Sequence, residues 1–312
     1  MRLLFIMDGP EAINPDKDTT FAFIRSAERK GHESYHALLR DIYVAGGEVR
    51  AKARRARPTD GTPCLQLGET IDVALGELSA VLIRKDPPFD ADYLYCTLLL
   101  EHARGKTLLI NDPRGLRDAN EKLYSLNFPE FTPRTIVTAD RDRIHAFVRE
   151  VGGKAVIKPL HLMGGFGVLG LYEGDKNARG IVDMLTNEGK TIVMVQEFLP
   201  KVVEGDKRIL LLDGEPLGAI LRVPRADELR SNIHVGGSVV PTELTPREHE
   251  MVEAIAPKLK EDGLVFVGLD VIGERLTEVN VTSPTGIQEL GRHQNAHPED
   301  RVIEWIEKRA WR

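Results

Sequence analysis

Three oxygen-bearing side chains interrupt apolar sequence near the carboxyl end of the chain. Asp270 lies in Val-Gly-Leu-Asp-Val-Ile, and Glu278 and Asn280 lie in Leu-Thr-Glu-Val-Asn-Val. Residues two apart share one face of a strand, so Glu278 and Asn280 are predicted to point the same way. Carboxylate and amide oxygens, together with phosphate oxygens, are the ligands that Mg²⁺ takes. The same spacing also fits the polar outer face of an antiparallel hairpin, and the pattern leaves both interpretations open.

Asp270 can join the other two side chains only under one condition. A plain two-residue hairpin at Gly273 and Glu274 would pair Asp270 with Thr277 and turn it away from Glu278. A connection of odd length, or a β-bulge, would bring it onto the shared face. The metal hypothesis therefore makes a specific prediction about the register of this hairpin.

A lysine and a glycine-rich segment form a second candidate site. Lys158 lies in the apolar run Val-Ile-Lys-Pro, where a buried ammonium group is costly unless an anion meets it. Gly164 and Gly165 follow, and glycine lets backbone N–H groups approach phosphate oxygens. The segment matches neither the P-loop pattern nor the dinucleotide fingerprint, so a plain tight turn remains an alternative.

Other cationic side chains have weaker local signals. Lys122 lies in a helix predicted over residues 116–126, where a lysine is usually solvated. Arg208 begins a hairpin strand and could bind a phosphate or an oxyanion through its guanidinium fork. Arg222, Arg230 and Asn232 border a polar loop predicted over residues 224–238 and could hold a carboxylate substrate. An exposed surface position is the alternative for each of these residues.

Composition and motifs exclude several classes of function. With 42 Lys and Arg against 48 Asp and Glu the net charge is -6, which disfavours nucleic acid as a partner. The basic residues between 52 and 57 are predicted to form a solvated loop. The chain lacks the esterase Gly-x-Ser-x-Gly and metalloprotease His-Glu-x-x-His motifs and any run of about 18 apolar residues that could span a membrane. Its two cysteines are too few for a disulfide framework and fit a reducing compartment such as the cytoplasm.

The first third of the chain has the pattern of a parallel sheet. Strands are predicted at 3–7, 80–84 and 107–111, and helices at 20–30 and 93–104. Such alternation indicates a sheet covered by helices, with ligands at the carboxyl ends of the strands. Asp8, Arg84 and Asn111 lie at those ends.

The remainder of the chain reads as two α+β units. In the first, helices are predicted at 141–151 and 178–188, and strands at 154–159, 168–172 and 191–198. In the second, strands at 209–212 and 217–223 flank an Asp-Gly-Glu-Pro turn. A capping box with proline opens a helix at Thr245 that ends at Gly263. Strands at 264–272 and 276–281 and a helix at 300–310 complete the chain. The predicted domains are 1–120, 121–200 and 201–312.

Several motifs together resemble the bacterial glutathione synthetase family of the ATP-grasp superfamily. They are Arg-Lys-Asp-Pro-Pro-Phe at 84–89, Leu-Arg-Asp-Ala-Asn-Glu-Lys-Leu at 116–123, Gly-Asp-Lys-Arg at 205–208, Phe-Val-Gly-Leu-Asp at 266–270 and Glu-Val-Asn-Val-Thr-Ser-Pro-Thr at 278–285. The resemblance runs from the first strand to about residue 290. It implies a mixed α/β and α+β fold, with an N-terminal Rossmann-like pre-ATP-grasp domain followed by the two α+β subdomains of an ATP-grasp fold.

The resemblance also implies roles for individual residues. ATP would lie between the central and C-terminal units, contacted by Lys122, Lys158, Gly164, Gly165, Gln196, Glu197, Phe198, Leu199 and Asp206. Magnesium, or manganese in its place, would be held by Asp270, Glu278 and Asn280. Catalytic charge would come from Lys158 and Arg208. The peptide substrate would meet Asp18, Thr19, Arg84, Arg222, Arg230, Asn232 and Ser283.

The implied reaction joins γ-glutamylcysteine to glycine through an acyl phosphate made from ATP. The family also implies a homo-oligomer, a dimer or a tetramer. One departure is His161-Leu162, where the family usually has an Asp-Gly or Tyr-Gly pair, and it bears on the loop that would cover the phosphates. An ATP-grasp ligase with a different acceptor, and a nucleotide-binding protein without turnover, are the alternative hypotheses.

Overall fold

The first of three β-sheets occupies the amino-terminal part of the chain. The computed structural model describes residues 1–224 and 238–310. The strands of this sheet are β1 Arg2–Ile6, β2 Glu33–Ala37, β3 Ile42–Ala45, β4 Glu48–Pro58, β5 Leu65–Ala74, β6 Ala80–Ile83 and β7 Leu108–Ile110. Their order is β3-β4-β2-β1-β6-β7, with β5 beside β4. The pairs of β1 with β2 and β6, and of β6 with β7, are parallel, as the alternating pattern predicted.

Helices of this first unit begin at aspartate caps. They are α1 Thr19–Arg29, α2 Ala91–Leu100 and α3 Pro113–Asp118. Asp18 accepts a hydrogen bond from the Phe21 N–H at 2.7 Å, and Asp90 and Asp112 cap the next two helices in the same way. A side-chain acceptor at this position satisfies an N–H that has no partner inside the helix. Asp18, one of the predicted substrate residues, is therefore also a structural cap.

The prediction of a solvated loop at residues 52–57 was wrong. These residues belong to β4, which pairs with β5 and β2. Ala51, Ala53 and Ala56 are buried, whereas Lys52 and Arg54 between them are exposed. The period of two was present, but alanine is depleted in strands and hid the pattern.

The prediction of a continuous helix over residues 116–126 was also wrong. α3 ends at Asp118, and a 3-10 turn begins only at Leu123. The Asn120 side chain accepts hydrogen bonds from the N–H groups of Lys122 and Leu123, at 3.2 and 3.1 Å. Asparagine competes in this way with helix formation, so Lys122 lies in a turn.

The second sheet is small and entirely antiparallel. Its strands are β8 Thr135–Thr138, β9 Lys154–Pro159, β10 Leu169–Tyr172 and β11 Val193–Glu197, in the order β10-β9-β11-β8. Helices α4 Arg141–Glu150 and α5 Ala178–Leu185 pack on it. The unit has its own core, in which Ile144, Phe147, Ile157 and Val182 are buried together.

The third sheet is also antiparallel. Its strands are β12 Asp206–Leu212, β13 Glu215–Val223, β14 Ser238–Thr242, β15 Phe266–Ile272 and β16 Arg275–Asn280, in the order β14-β13-β12-β15-β16. Helix α6 Pro246–Glu261 begins at the predicted capping box of Thr245, and Gly263 follows with a φ of 67°. Helices α7 Ile287–Gln294 and α8 Pro298–Arg309 complete the unit. The sequence pattern did not predict α7, the strands β2 to β5, or the strands β8 and β14.

The first and third sheets share hydrophobic cores. Phe23 of α1 meets Phe266 of β15 edge to face, with ring centroids 5.1 Å apart. Asn111, at the end of β7, donates to the carbonyls of Phe266 and Val281 at 2.9 and 2.7 Å, and accepts from the N–H groups of Val265 and Phe266. The two units therefore form one base, to which the second sheet is attached as a separately packed unit.

No helix in the two described ranges has both the length and the apolar character needed to cross a membrane.

Candidate active site

A cavity of about 1230 Å³ lies where the three units meet. Most of the residues that the sequence singled out line it. These are Asp18, Lys158, Gly164, Gly165, Gln196, Glu197, Phe198, Leu199, Asp206, Arg208, Arg222, Asp270, Glu278, Asn280 and Ser283. Side chains from separate parts of the chain are thus brought to one site.

The β15–β16 hairpin has the irregular register that the metal hypothesis required. Ile272 pairs with Arg275 across the two-residue turn, but the register shifts between Asp270 and Val271. Asp270 consequently pairs with Glu278. Thr277 is the extra residue of the bulge, and its hydroxyl donates to the Asp270 carbonyl at 3.1 Å. A β-bulge re-aims the side chains that follow it, and here it puts both carboxylates at the cavity.

Four buried charged side chains form one network in the cavity wall. The Arg208 guanidinium donates to both oxygens of Asp270, at 2.5 and 3.0 Å. Arg222 reaches Asp270 at 3.0 Å and also donates to Asp206 at 2.5 Å. Each of the four residues is less than a tenth exposed. Two guanidiniums and two carboxyl groups therefore share one buried network, in which each charge lies next to a group of opposite sign.

This network separates the pKa values of its two carboxyl groups. Burial alone would raise the pKa of Asp270, but the guanidiniums of Arg208 and Arg222 hold it well below its ordinary range. Burial raises the pKa of Asp206 to about 7, although Arg222 opposes that rise. Asp270 contacts both arginines directly, so it carries the negative charge more firmly.

Two lysines, one on β9 and one in the turn before β8, face Glu278. Lys158 on β9 is 8% exposed, and burial lowers its pKa while the Glu278 carboxylate counteracts that effect. Lys122 is 5% exposed, and its ammonium group lies 3.8 Å from the Glu278 carboxylate. It also donates to the Leu162 carbonyl at 2.6 Å. Two desolvated ammonium groups beside a cavity favour an anionic ligand.

The donor set fits a hard divalent cation that phosphate oxygens would help to hold. Asn280 uses its amide nitrogen on the Gly268 carbonyl at 3.2 Å, which leaves the amide oxygen as its ligand atom. Glu278 is partly exposed to the cavity, and Asp270 is kept ionised. Among residues 1–224 and 238–310, no three His, Cys, Asp or Glu side chains are grouped to form a protein-only site. Mg²⁺ is commonly bound in this way, by one or two carboxylates plus phosphates.

The glycine-rich loop covers one side of the cavity. Gly164, Gly165 and Gly167 have φ angles of 61°, 78° and 70°, which other residues rarely adopt. A Cβ atom at Gly167 would lie 2.8 Å from Pro159. The loop is therefore a tight turn, as the alternative interpretation held, and it also lines the cavity. Phe166 at its tip is 69% exposed.

The segment after β11 forms another wall. Gln196 donates to the Thr135 hydroxyl at 3.1 Å, and Glu197 accepts from the Arg134 N–H at 3.0 Å. These side chains tie the end of β11 to the start of β8 within the second sheet, while Phe198 and Leu199 extend along the cavity. Such an apolar wall beside fixed polar groups is typical of a site for a small molecule or cofactor.

The predicted substrate residues are only partly together. Asp18 and Ser283 line the cavity, but Thr19 is buried beside it, and its hydroxyl has no hydrogen-bond partner among the described residues. Arg84 lies behind the wall between the rings of Phe23 and Phe266, at 5.6 and 5.4 Å from their centroids. Its contact with a substrate stays a prediction.

Three further residues depart from the expectation or fall outside the described ranges. Asn111 lies at a strand end but is a buried tie between the first and third sheets. Arg230 and Asn232, with most of the predicted loop over 224–238, lie outside the described residues.

Sequence reasoning gave no role to Glu121, although it lies within the quoted motif at 116–123. Its carboxylate lines the cavity and accepts hydrogen bonds from Val281 and Thr282. The sequence showed only a second charged residue beside Lys122. It could not show the hydrogen-bond partner of Glu121, because Val281 lies 160 positions away in the chain.

Known proteins match this chain over nearly its full length. The model for the prokaryotic glutathione synthetase N-terminal domain matches residues 1–117, and the model for the ATP-grasp domain of the same family matches residues 121–295. Glutathione synthetase of Synechocystis sp. is 47% identical over 319 residues, covering 99% of both chains. That of Shewanella oneidensis is 43% identical, covering 93% of both.

Solved structures of lower sequence identity share the fold. D-cycloserine synthetase DcsG superposes with a TM-score of 0.67 at 14% identity, over 97% of this chain and 99% of that one. The ATP-grasp ligase PsnB, complexed with a minimal precursor, gives 0.64 at 16% identity, over 98% of both chains. These similarities establish the ATP-grasp fold.

Proposed function

The chain belongs to the prokaryotic glutathione synthetase family and is an ATP-dependent ligase, and we propose that the cavity between its three sheets is where γ-glutamylcysteine and glycine are joined. ATP is consumed to ADP and phosphate in this reaction. The observation that carries the assignment is the meeting of two buried lysines with Glu278 and the ionised Asp270 at one cavity.

The triphosphate of ATP would lie between the second and third sheets. Lys158 comes from β9 and Lys122 from the turn before β8, and both ammonium groups are desolvated. The tight backbone of Gly164 and Gly165 lies on the same side of the cavity. The adenine ring would lie against Phe198 and Leu199, and the ribose beside Asp206.

The chemistry follows from the charge that builds up. A carboxylate is a poor electrophile, so the γ-phosphoryl group of ATP is first transferred to the cysteine carboxylate of γ-glutamylcysteine. The glycine amine then attacks the acyl carbon, the amide forms, and phosphate leaves. Both steps concentrate negative charge on phosphoryl and acyl oxygens, where Lys122, Lys158 and Arg208 would stabilise it. Arg208 is pre-oriented for this role by its two bonds to Asp270.

A divalent cation would be held by Asp270, Glu278 and Asn280 together with phosphate oxygens. We propose magnesium, with manganese as a substitute. When bound, the cation supplies Lewis-acid neutralisation of phosphate charge. Glu278 and Asn280 belong to one strand and Asp270 to its neighbour, so the bulge fixes their relative position.

The peptide substrate would lie between the first and third sheets. Asp18, Arg222 and Ser283 all line the cavity, which supports this placement. Arg84 donates to the Pro284 carbonyl at 2.9 Å and would act through this backbone. The roles of Thr19, Arg230 and Asn232 stay predictions.

Isotope transfer tests the proposal directly. γ-Glutamylcysteine carrying ¹⁸O in its cysteine carboxylate is incubated with ATP, Mg²⁺ and glycine, and the products are analysed by mass spectrometry. An acyl phosphate passes one ¹⁸O to the released phosphate, so glutathione should lose one label and phosphate gain it. Formation of ADP without glutathione, or a product only with another amine, would favour the ligase with a different acceptor. Binding of ATP without ADP release would favour the protein without turnover.

The domain boundaries, the cellular compartment and the oligomeric state are part of the same proposal. We place the domain boundaries at residues 120 and 200, because each resulting range contains one sheet. Cys64 and Cys96 are both free and buried, which supports a reducing compartment such as the cytoplasm. A homo-oligomer, dimer or tetramer, is expected from the family and is tested by sedimentation.

A further inference from the structure

We propose that Glu121 is a positioning residue. It holds the carboxyl end of β16 in place, and so fixes where Glu278 and Asn280 lie relative to Lys122. This inference rests on the proposed function of the cavity. It explains why position 121 carries a carboxylate although the Glu278 carboxylate is close by. A neutral side chain there would avoid repulsion between the two groups.

The contacts of Glu121 converge on one short stretch of chain. One oxygen of its carboxylate accepts from the Val281 N–H at 3.0 Å, the Thr282 N–H at 3.2 Å and the Thr282 hydroxyl at 2.8 Å. Its main-chain carbonyl accepts from the Val279 N–H at 2.8 Å. Residue 121 therefore binds the backbone on both sides of Asn280, and the strand cannot shift without breaking several of these bonds.

The neighbours of Glu121 in sequence bind the opposite side of the cavity. Asn120 donates to the Leu160 carbonyl at 3.1 Å, and Lys122 donates to the Leu162 carbonyl at 2.6 Å. Both carbonyls belong to the segment that leads from β9 into the glycine-rich loop. Three consecutive residues thus join this loop to the strand that carries Glu278.

A buried carboxylate at position 121 costs free energy that a purely structural contact would not require. Burial raises the pKa of its carboxyl group, and the Glu278 charge adds to that effect, while the bonds from Thr282 and Val281 act against it. Charge-assisted hydrogen bonds are shorter and stronger than neutral ones, so a carboxylate holds the strand more rigidly than an amide could. Rigid placement of the groups around a metal is what such outer partners contribute.

The test combines turnover with direct metal binding. Glu121→Gln keeps the shape and one acceptor but loses the charge, and Glu121→Ala removes the side-chain contacts while keeping the main-chain bond to Val279. We expect kcat to fall about 10-fold for Gln and about 100-fold for Ala, with KM for γ-glutamylcysteine within about twofold of wild type. Mn²⁺ binding in the presence of ADP, followed by electron paramagnetic resonance, should weaken about 10-fold in Glu121→Gln.

Glu248→Gln is the matched control. Glu248 is also a buried carboxylate that accepts from a backbone N–H and a side chain, those of Thr245 and Lys207, but it does not line the cavity. It should lower the melting temperature and leave Mn²⁺ binding unchanged. If Glu121→Ala does not fold, Glu121→Gln alone carries the test, because it preserves the side-chain volume.

Two results would overturn the inference. Unchanged Mn²⁺ binding and kcat in Glu121→Gln would show that the carboxylate charge positions nothing. Losses that only parallel a fall in melting temperature, as in Glu248→Gln, would show a merely structural role. Glu278→Ala separates this from failure of the proposed function, since that variant should be inactive even if Glu121 proves dispensable.

Discussion

Replacement of Asn111 by alanine should destabilise the protein strongly, because this one side chain joins two sheets. Asn111 is 4% exposed and makes four hydrogen bonds to backbone groups at the start of β15 and just after β16, with lengths between 2.7 and 2.9 Å. A hydrogen bond contributes about 1 kcal/mol net, and buried groups left without a partner cost at least as much. Asn111→Ala should therefore lower the free energy of unfolding by about 4 kcal/mol.

The measurement is differential scanning calorimetry of wild type and variants at matched concentration. A loss of this size corresponds to a fall in melting temperature on the order of 10 °C for a chain of this length. Asn127→Ala is the matched control, because Asn127 makes one local bond, to the Tyr124 carbonyl at 3.0 Å. It should cost about 1 kcal/mol.

Equal melting temperatures for Asn111→Ala and Asn127→Ala would refute this reasoning. The four bonds would then be replaceable by water or by small shifts of the backbone. A fall confined to Asn111→Ala would show that the tie between the first and third sheets is a principal source of stability in the base.

Three further predictions concern the cavity. Lys158→Ala or Glu278→Ala should abolish ADP formation without changing the circular dichroism spectrum, and normal turnover would remove that residue from the site. The pKa of Asp270 is lower in the folded than in the unfolded protein, so its stabilisation is complete above the unfolded value of 3.8 and is lost as pH falls through the folded value. Between about pH 5 and pH 3, the urea midpoint should therefore fall more steeply in wild type than in Asp270→Asn. Phe166→Ala should change the free energy of unfolding by less than about 0.5 kcal/mol, because the ring is 69% exposed. The same variant should lower kcat, because we expect the ring to help the glycine-rich loop close over the phosphates. An unchanged kcat would show that the ring takes no part in closure.

Local sequence signals predicted the elements that have strong ones. The capping box at Thr245 and the turn between β12 and β13 were predicted correctly, because each depends on residues a few positions apart. The alternation at β4 was missed because alanines occupy its buried positions. The helix predicted through Lys122 failed because the Asn120 side chain accepts from the N–H groups of Lys122 and Leu123, and because Glu121 binds groups far away in the chain.

The candidate site was predicted by residue type, but its geometry was not. Asp270, Glu278 and Lys158 were identified because charged side chains in apolar strands need a reason. Sequence alone left two registers open for the hairpin, and the structure has the bulged one. The pairing of Asp270 with Arg208 and Arg222 carried no local signal, since these residues are adjacent only in the folded sheet.

The chain by itself therefore determined which groups could do chemistry and, through its motifs, the family. Tertiary structure alone decided that Arg84 lies between two aromatic rings, that Asn111 is a tie, and that Glu121 holds the strand bearing Glu278. The physical reason is one of range: periodicity and capping act over a few residues, whereas burial and charge pairing depend on partners that only the completed fold brings together.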